Sequence, residues 1–169
     1  MDVYEQLRHE IIETRLRFHQ LLDTIPDRAF SWPSDNPAWT IGEVLYHMSL
    51  APRLVIADVR MITGQTGLYR LIPRLVPKRL FDWVNARMTR YGARHLSRSF
   101  LAREYDKAHE IALRALGRVA EGDFQRRAIY PDWDPLLSGE VTLERLFHYM
   151  KEHFDAHAAE IERVLKENT

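Results

Sequence analysis

The chain has 169 residues, with 24 basic and 24 acidic side chains, and is 46% hydrophobic and 28% charged. That length suits one domain with a sizeable core, the charge balance gives no bias toward nucleic acid or acidic partners, and the composition argues against disorder. The absence of cysteine excludes a disulfide, a zinc–thiolate site and a protein thiol nucleophile.

Charges are scattered through the first twenty residues, and no window is apolar enough for a secretory signal or a membrane span. A cytoplasmic protein is expected. Strand signals are nearly missing, whereas helical spacing recurs. Tyr4, Leu7, Ile11, Phe18, Leu22 and Ile25 mark a first helix over residues 2–24, stopped by Pro26. Residues 31–39 read as a loop, rich in Pro, Ser, Asp and Asn. Thr40 and Glu43 have capping-box spacing and open a second helix, which should run to about Thr63. Pro52 lies inside it and predicts a kink just after His47. Beyond Gly64 the pattern is less regular, with Pro73, Pro77 and a helix over 78–91. A third long helix spans 100–120, residues 128–140 read as a loop, and a last helix runs from Thr142 to about Lys166. Four long amphipathic helices give an all-α four-helix bundle, a single domain over 1–169, with an elaborated connection between the second and third.

Eight histidines are present, and helical geometry sorts them. Positions four apart stack on one helix face. In the last helix His157 falls within the apolar stripe and His153 at its edge, so the pair points at the core. His148 lies on the other side, as a solvated surface residue. On the second helix His47 flanks the core stripe beside Ala51. Two readings of these three residues stand on the pattern alone: ligands of one divalent metal ion, or core histidines held by hydrogen bonds. Phe154 follows His153, so this is not the H-E-x-x-H of zinc proteases, and the general-base glutamate of that chemistry is absent there.

Two segments carry a family resemblance. Trp39-Thr40-Ile41-Gly42-Glu43-Val44-Leu45-Tyr46-His47 is similar to the W-[ST]-x-x-E-x-x-x-H that opens the second helix of the DinB/YfiT-like proteins, and residues 152–161 are similar to their H-x-x-x-H. The resemblance implies a four-helix bundle with a metal triad of His47, His153 and His157, nickel or zinc as the metal, and a homodimer. It also implies a choice of activities, since relatives include transferases and isomerases that use bacillithiol, mycothiol or glutathione. An open site with three imidazole ligands activates a bound water or thiol near neutral pH. Without cysteine in the chain, thiol chemistry needs an external low-molecular-weight thiol. The favoured expectation is a thiol-dependent transferase acting on an electrophilic small molecule. The alternatives are a metal-dependent hydrolase and a non-catalytic, stress-response bundle that binds a metal or ligand. Asp155, Glu152, Glu43 and Asp58 are the candidate carboxylates near the triad.

From Gly64 to Arg98 eight basic residues face a single acid, Asp82, with apolar residues interleaved. An anionic-substrate entrance, a membrane-surface element, a nucleic-acid patch and a solvated or dimer-facing segment all fit that pattern. The balanced charge of the whole chain favours no nucleic-acid partner. Trp39 is expected in the core, while Trp32 and Trp133 lie in or beside loops, where they either wall a pocket or plug one end of the bundle.

Overall fold

The computed structural model describes residues 2–64, 77–134 and 136–168. Helix α1 (Val3–Thr24) starts at Asp2, whose Oδ1 accepts the Glu5 amide at 2.7 Å. It buries Leu7, Ile11, Thr14, Phe18, Leu21 and Leu22, a run of three- and four-residue steps that fixes one face inward. A 3-10 turn (Asp27–Ser31) and a bridge between Pro33 and Thr40 lead into α2 (Ile41–Met48). The capping box forms as expected: Thr40 Oγ1 accepts the Glu43 amide at 3.3 Å, and Glu43 Oε2 accepts the Thr40 amide at 2.8 Å.

The expected kink is a full interruption. Helix α2 ends at Met48, Ser49 turns its amide and hydroxyl onto the Tyr46 carbonyl at 2.9 and 2.7 Å, and α3 (Leu50–Thr63) starts afresh. Pro52 then lies in the first turn of α3, where a missing N–H and a fixed φ are tolerated. Helix α4 (Lys78–Gly92) follows, then α5 (Arg98–Leu116), capped by the Ser97 hydroxyl at the Phe100 amide. Helix α5 starts two residues before the expected position and stops at Gly117 rather than running to residue 120.

Residues 128–140 do not form the loop that their composition suggests. Strands β1 (Arg127–Asp134) and β2 (Leu137–Thr142) pair antiparallel, with Ala128 opposite Val141 and Tyr130 opposite Gly139. Ala128 and Val141 are buried while Ile129 and Glu140 face out, so the period-2 pattern exists but is too short to register. Pro131 is tolerated because a two-stranded ribbon leaves edges free, and the register breaks between Tyr130 and Asp134. Gly139 takes φ +74°, a value that side-chain-bearing residues avoid. Helix α6 (Leu143–Glu167) begins directly at Thr142, whose hydroxyl accepts the Arg145 amide at 3.1 Å.

The long elements α1, α2–α3, α5 and α6 form a four-helix bundle. One core cluster gathers around Phe18, Leu45, Tyr105 and Phe154, and a second around Ile11, Val55, Leu116 and Phe147. Phe18 and Tyr105 stack with ring centroids 3.7 Å apart. Across the helices, Asp106 of α5 accepts from Arg15 and His19 of α1 at 2.6 and 2.8 Å, and Arg17 reaches Asp155 of α6 at 2.6 Å. His148 is not the solvated residue expected: its Nδ1 lies 2.7 Å from Glu10 Oε2, joining α6 to α1.

Of the basic stretch, residues 65–76 lie outside the described residues, and with them Gly67, Arg70, Pro73 and Arg74. In the described part, α4 packs on α2 and leaves Leu80, Trp83, Val84, Met88 and Tyr91 exposed. Arg98 serves the fold, since its guanidinium donates to the carbonyls of Leu22 and Ile25 and to Asp27, closing the C-terminal end of α1. Among the described residues no helix is long and apolar enough to cross a membrane.

Candidate metal centre

His47 sits on the last turn of α2, and His153 and His157 sit one turn apart on α6. The bundle brings all three together. Their ring centroids are 5.0 Å (His47–His153), 5.1 Å (His47–His157) and 4.6 Å (His153–His157) apart. The Nε2 atoms of His47 and His153 are 3.1 Å apart, and one nitrogen from each of the three rings falls within 4.8 Å of the others. Nitrogen ligands bind zinc at about 2.0–2.1 Å, so two on one ion lie at most about 4.2 Å apart. The closest pair fits that span, and the group as a whole, within 4.8 Å, is slightly wider than it.

Burial follows an order opposite to the one the stripe suggests. His153 is buried, 5% exposed, and His157 is the partly exposed member. His47 lies against Trp39, ring centroids 4.6 Å apart, and against His153 of α6. Burial pushes the His47 imidazole down to about 3, helped by the neighbouring His157 and opposed by Glu160 and the Asn85 side chain. Burial and the two neighbouring imidazoles likewise hold His153 well below the usual histidine range. Neutral imidazoles with free lone pairs are the form a metal requires.

None of the four expected carboxylates touches the triad. Asp155 is held by Arg17 and Lys151, Glu152 by Arg145, and Glu43 by the capping box. Asp58 takes the Tyr130 hydroxyl instead. The acid that does reach the triad is Glu160, whose Oε2 lies 2.9 Å from His157 Nδ1. The hydrogen bond from His157 holds the Glu160 carboxyl below its usual range against burial, with Ser34 and the Asn36 backbone helping. Glu160 fixes which nitrogen of His157 carries the proton and leaves Nε2 free as a donor of electrons. Its spacing, three residues after His157 on one helix, is the signal that identifies it in the sequence.

A cavity of about 220 Å³ is bounded by α3, Phe81 of α4, the hairpin and α6; none of the three histidines lines it, and Tyr149 stands between it and His153. Tyr149, one turn before His153, forms the partition: its ring faces the cavity and also lies 5.5 Å from the His153 ring. Trp133 lines this cavity and stacks on Phe81 at 5.0 Å. Trp39 is in the core as expected, and Trp32 packs against the same cluster.

Residues 10–161 match the model of the DinB superfamily. The fold is similar to that of YfiT from Bacillus subtilis, whose structure is described as that of a probable metal-dependent hydrolase with an unusual four-helix bundle topology. The two chains are 18% identical, with a TM-score of 0.67 over 96% of this chain and 87% of that one. It is also similar to the mycothiol-dependent maleylpyruvate isomerase, at 11% identity and a TM-score of 0.68, and to a mutant of that enzyme at 0.67. That match covers 95% of this chain but only 63% of the isomerase. No curated protein matches the chain.

Proposed function

The chain belongs to the DinB superfamily, and on that premise we propose that it is a metal-dependent enzyme that joins an external low-molecular-weight thiol to an electrophilic small molecule. One observation carries this reading: two α6 histidines and one α2 histidine, from elements distant in sequence, bring ring nitrogens within 4.8 Å of one another. In this proposal His47, His153 and His157 hold one divalent ion, nickel or zinc, residues 1–169 act as one bundle domain, and two copies pair. The ion supplies Lewis acidity and lowers the pKa of a thiol or water delivered to it. The protein's own residues do the rest. His153 is buried, so its lone pair is withheld from water and available to the ion. Glu160 orients His157, and Trp39 shields His47 from solvent.

The mycothiol-dependent isomerase among the structural relatives supports a thiol as co-substrate. A metal-dependent hydrolase is the second reading, favoured by the description of YfiT. Metal content of the protein purified without an affinity tag, beside His153→Ala, tests the common basis. About one equivalent is expected, lost in the variant. Loss of thiol in the presence of monochlorobimane, dependent on the metal, then distinguishes transfer from hydrolysis. A protein that takes up neither nickel nor zinc when supplied with them would overturn both readings.

A further inference from the structure

The cavity lined by Tyr149 has an unusual combination of walls. Aromatic faces of Phe81, Tyr130, Trp133 and Tyr149 line it, and so do the carboxyl groups of Asp58 and Asp134. No lysine or arginine lines it among the described residues. Arg145 and Lys78 come close to its walls and are held by other groups, although Arg145 Nη1 is buried without a hydrogen-bond partner. Arg145 bonds the Leu136 carbonyl and Glu152, at 2.8 and 2.6 Å, and Lys78 bonds the Trp133 carbonyl and Asp82, at 3.2 and 3.1 Å. Asp134 is satisfied by the Tyr149 hydroxyl at 2.5 Å and the Leu136 amide at 2.8 Å. Among the described residues the partner of Asp58 is the Tyr130 hydroxyl, and burial pushes its carboxyl up to about 6. With its carboxyl at about 6 it stays mostly ionised at neutral pH, a charge in largely apolar surroundings with no cation against it among the described residues.

We propose that this cavity binds an organic cation, an ammonium group carried on an apolar body, with Asp58 as its counter-ion and the rings of Trp133, Phe81 and Tyr130 as its walls. The alternatives fail on the same residues. An anion meets two carboxyl groups. A neutral ligand leaves the Asp58 charge uncompensated. A metal ion or a bare ammonium loses a hydration shell that apolar walls cannot replace, whereas an alkylated ammonium is weakly hydrated and is attracted by aromatic faces. Size agrees, because a cavity of about 150 Å³ accepts benzene and this one, at about 220 Å³, has room for a ring bearing a trimethylammonium group. Leu54, one of its lining residues, is 45% exposed, so the cavity reaches the surface there. A cation held here lies one tyrosine ring from His153. The proposal goes beyond the metal reading and does not depend on it.

Phenyltrimethylammonium and its uncharged isostere tert-butylbenzene are the probes, with binding to the full-length protein followed by ligand-observed NMR. Saturable binding of the cation is expected, tighter than that of the isostere. Asp58→Asn keeps the side-chain shape and should weaken the cation tenfold or more while leaving the isostere unchanged. Trp133→Ala should weaken both probes, and it serves as the second variant if Asp58→Asn unfolds. Metal content measured on the same samples should be unaffected by Asp58→Asn, so failure of this site and failure of the metal centre are read separately. Equal affinity for the two probes, an unchanged cation affinity in Asp58→Asn, or no saturable binding of the cation would overturn the proposal.

Discussion

Glu160→Gln tests the metal centre without removing a ligand. The substitution keeps an oxygen that can accept from His157 Nδ1, 2.9 Å away, but removes the carboxylate charge that makes the ring a stronger donor. Loss of such a supporting partner costs about 10- to 100-fold in metal affinity, and retention of an acceptor places Gln at the tenfold end. At a free metal concentration of about 100 times the wild-type Kd, binding stabilises the native state by about 2.7 kcal/mol. A tenfold weaker site under the same conditions contributes about 1.4 kcal/mol. The difference of about 1.3 kcal/mol corresponds to about 3–5 °C in Tm for a chain of this size. Glu160→Ala, with no acceptor, should lose nearly the whole metal-dependent increment. Thermal unfolding with and without metal, each variant referenced to its own metal-free Tm, measures this directly. An increment in Glu160→Gln equal to wild type, with His157→Ala abolishing it, would show that Glu160 plays no part in tuning the ligand.

Three further outcomes are expected. His109, buried against Tyr105 with its Nδ1 on the Tyr105 carbonyl at 3.0 Å, is pushed by burial down to about 4 from 6.5. A folded pKa below the unfolded one means that this stability is present above pH 6.5 and is lost as pH falls toward 4; over that window it amounts to about 3 kcal/mol. Urea titrations of wild type and His109→Leu at pH 7 and pH 4 should differ by that share, and identical pH dependences would refute the assignment. Thr40→Ala removes the cap of α2 and should cost about 1 kcal/mol by urea midpoint; no change would mean that the cap is redundant with the bridge at Pro33. Gly92→Ala would place a Cβ inside the Tyr46 phenol, where α4 crosses α2. A loss of about 1–3 kcal/mol is expected from overpacking, and unchanged near-ultraviolet circular dichroism and stability would show that α4 moves aside freely.

Much of this protein was legible along the chain because helices write their structure locally. Thr40 marks a helix start by capping chemistry, Thr142 marks another, Pro26 marks an end, and the spacing of Leu7, Ile11 and Phe18 gives a core face. Those signals depend on residues within one or two turns of each other. The His153–His157 spacing is equally local, and it put two imidazoles on one side of α6 before any tertiary contact was known.

The remainder depends on non-local contacts. That His47 approaches His153 to 3.1 Å follows from the packing of α2 on α6, at a sequence separation of 106 residues. The exchange of burial between His153 and His157 is a rotation of α6 of a fraction of a turn, finer than a hydrophobic stripe resolves. The hairpin at 127–142 escaped because strand pairing is set by the partner strand and by the helices beneath it, while Pro131 and Gly139 carry turn character of their own. By residue type alone Asp58 is one of four candidate carboxylates near the triad. Only the fold, by seating β1 against α3, gave it Tyr130 as a partner and a cavity of aromatic rings to face, because a side chain's chemistry is set by what surrounds it and its neighbours here come from four separate elements.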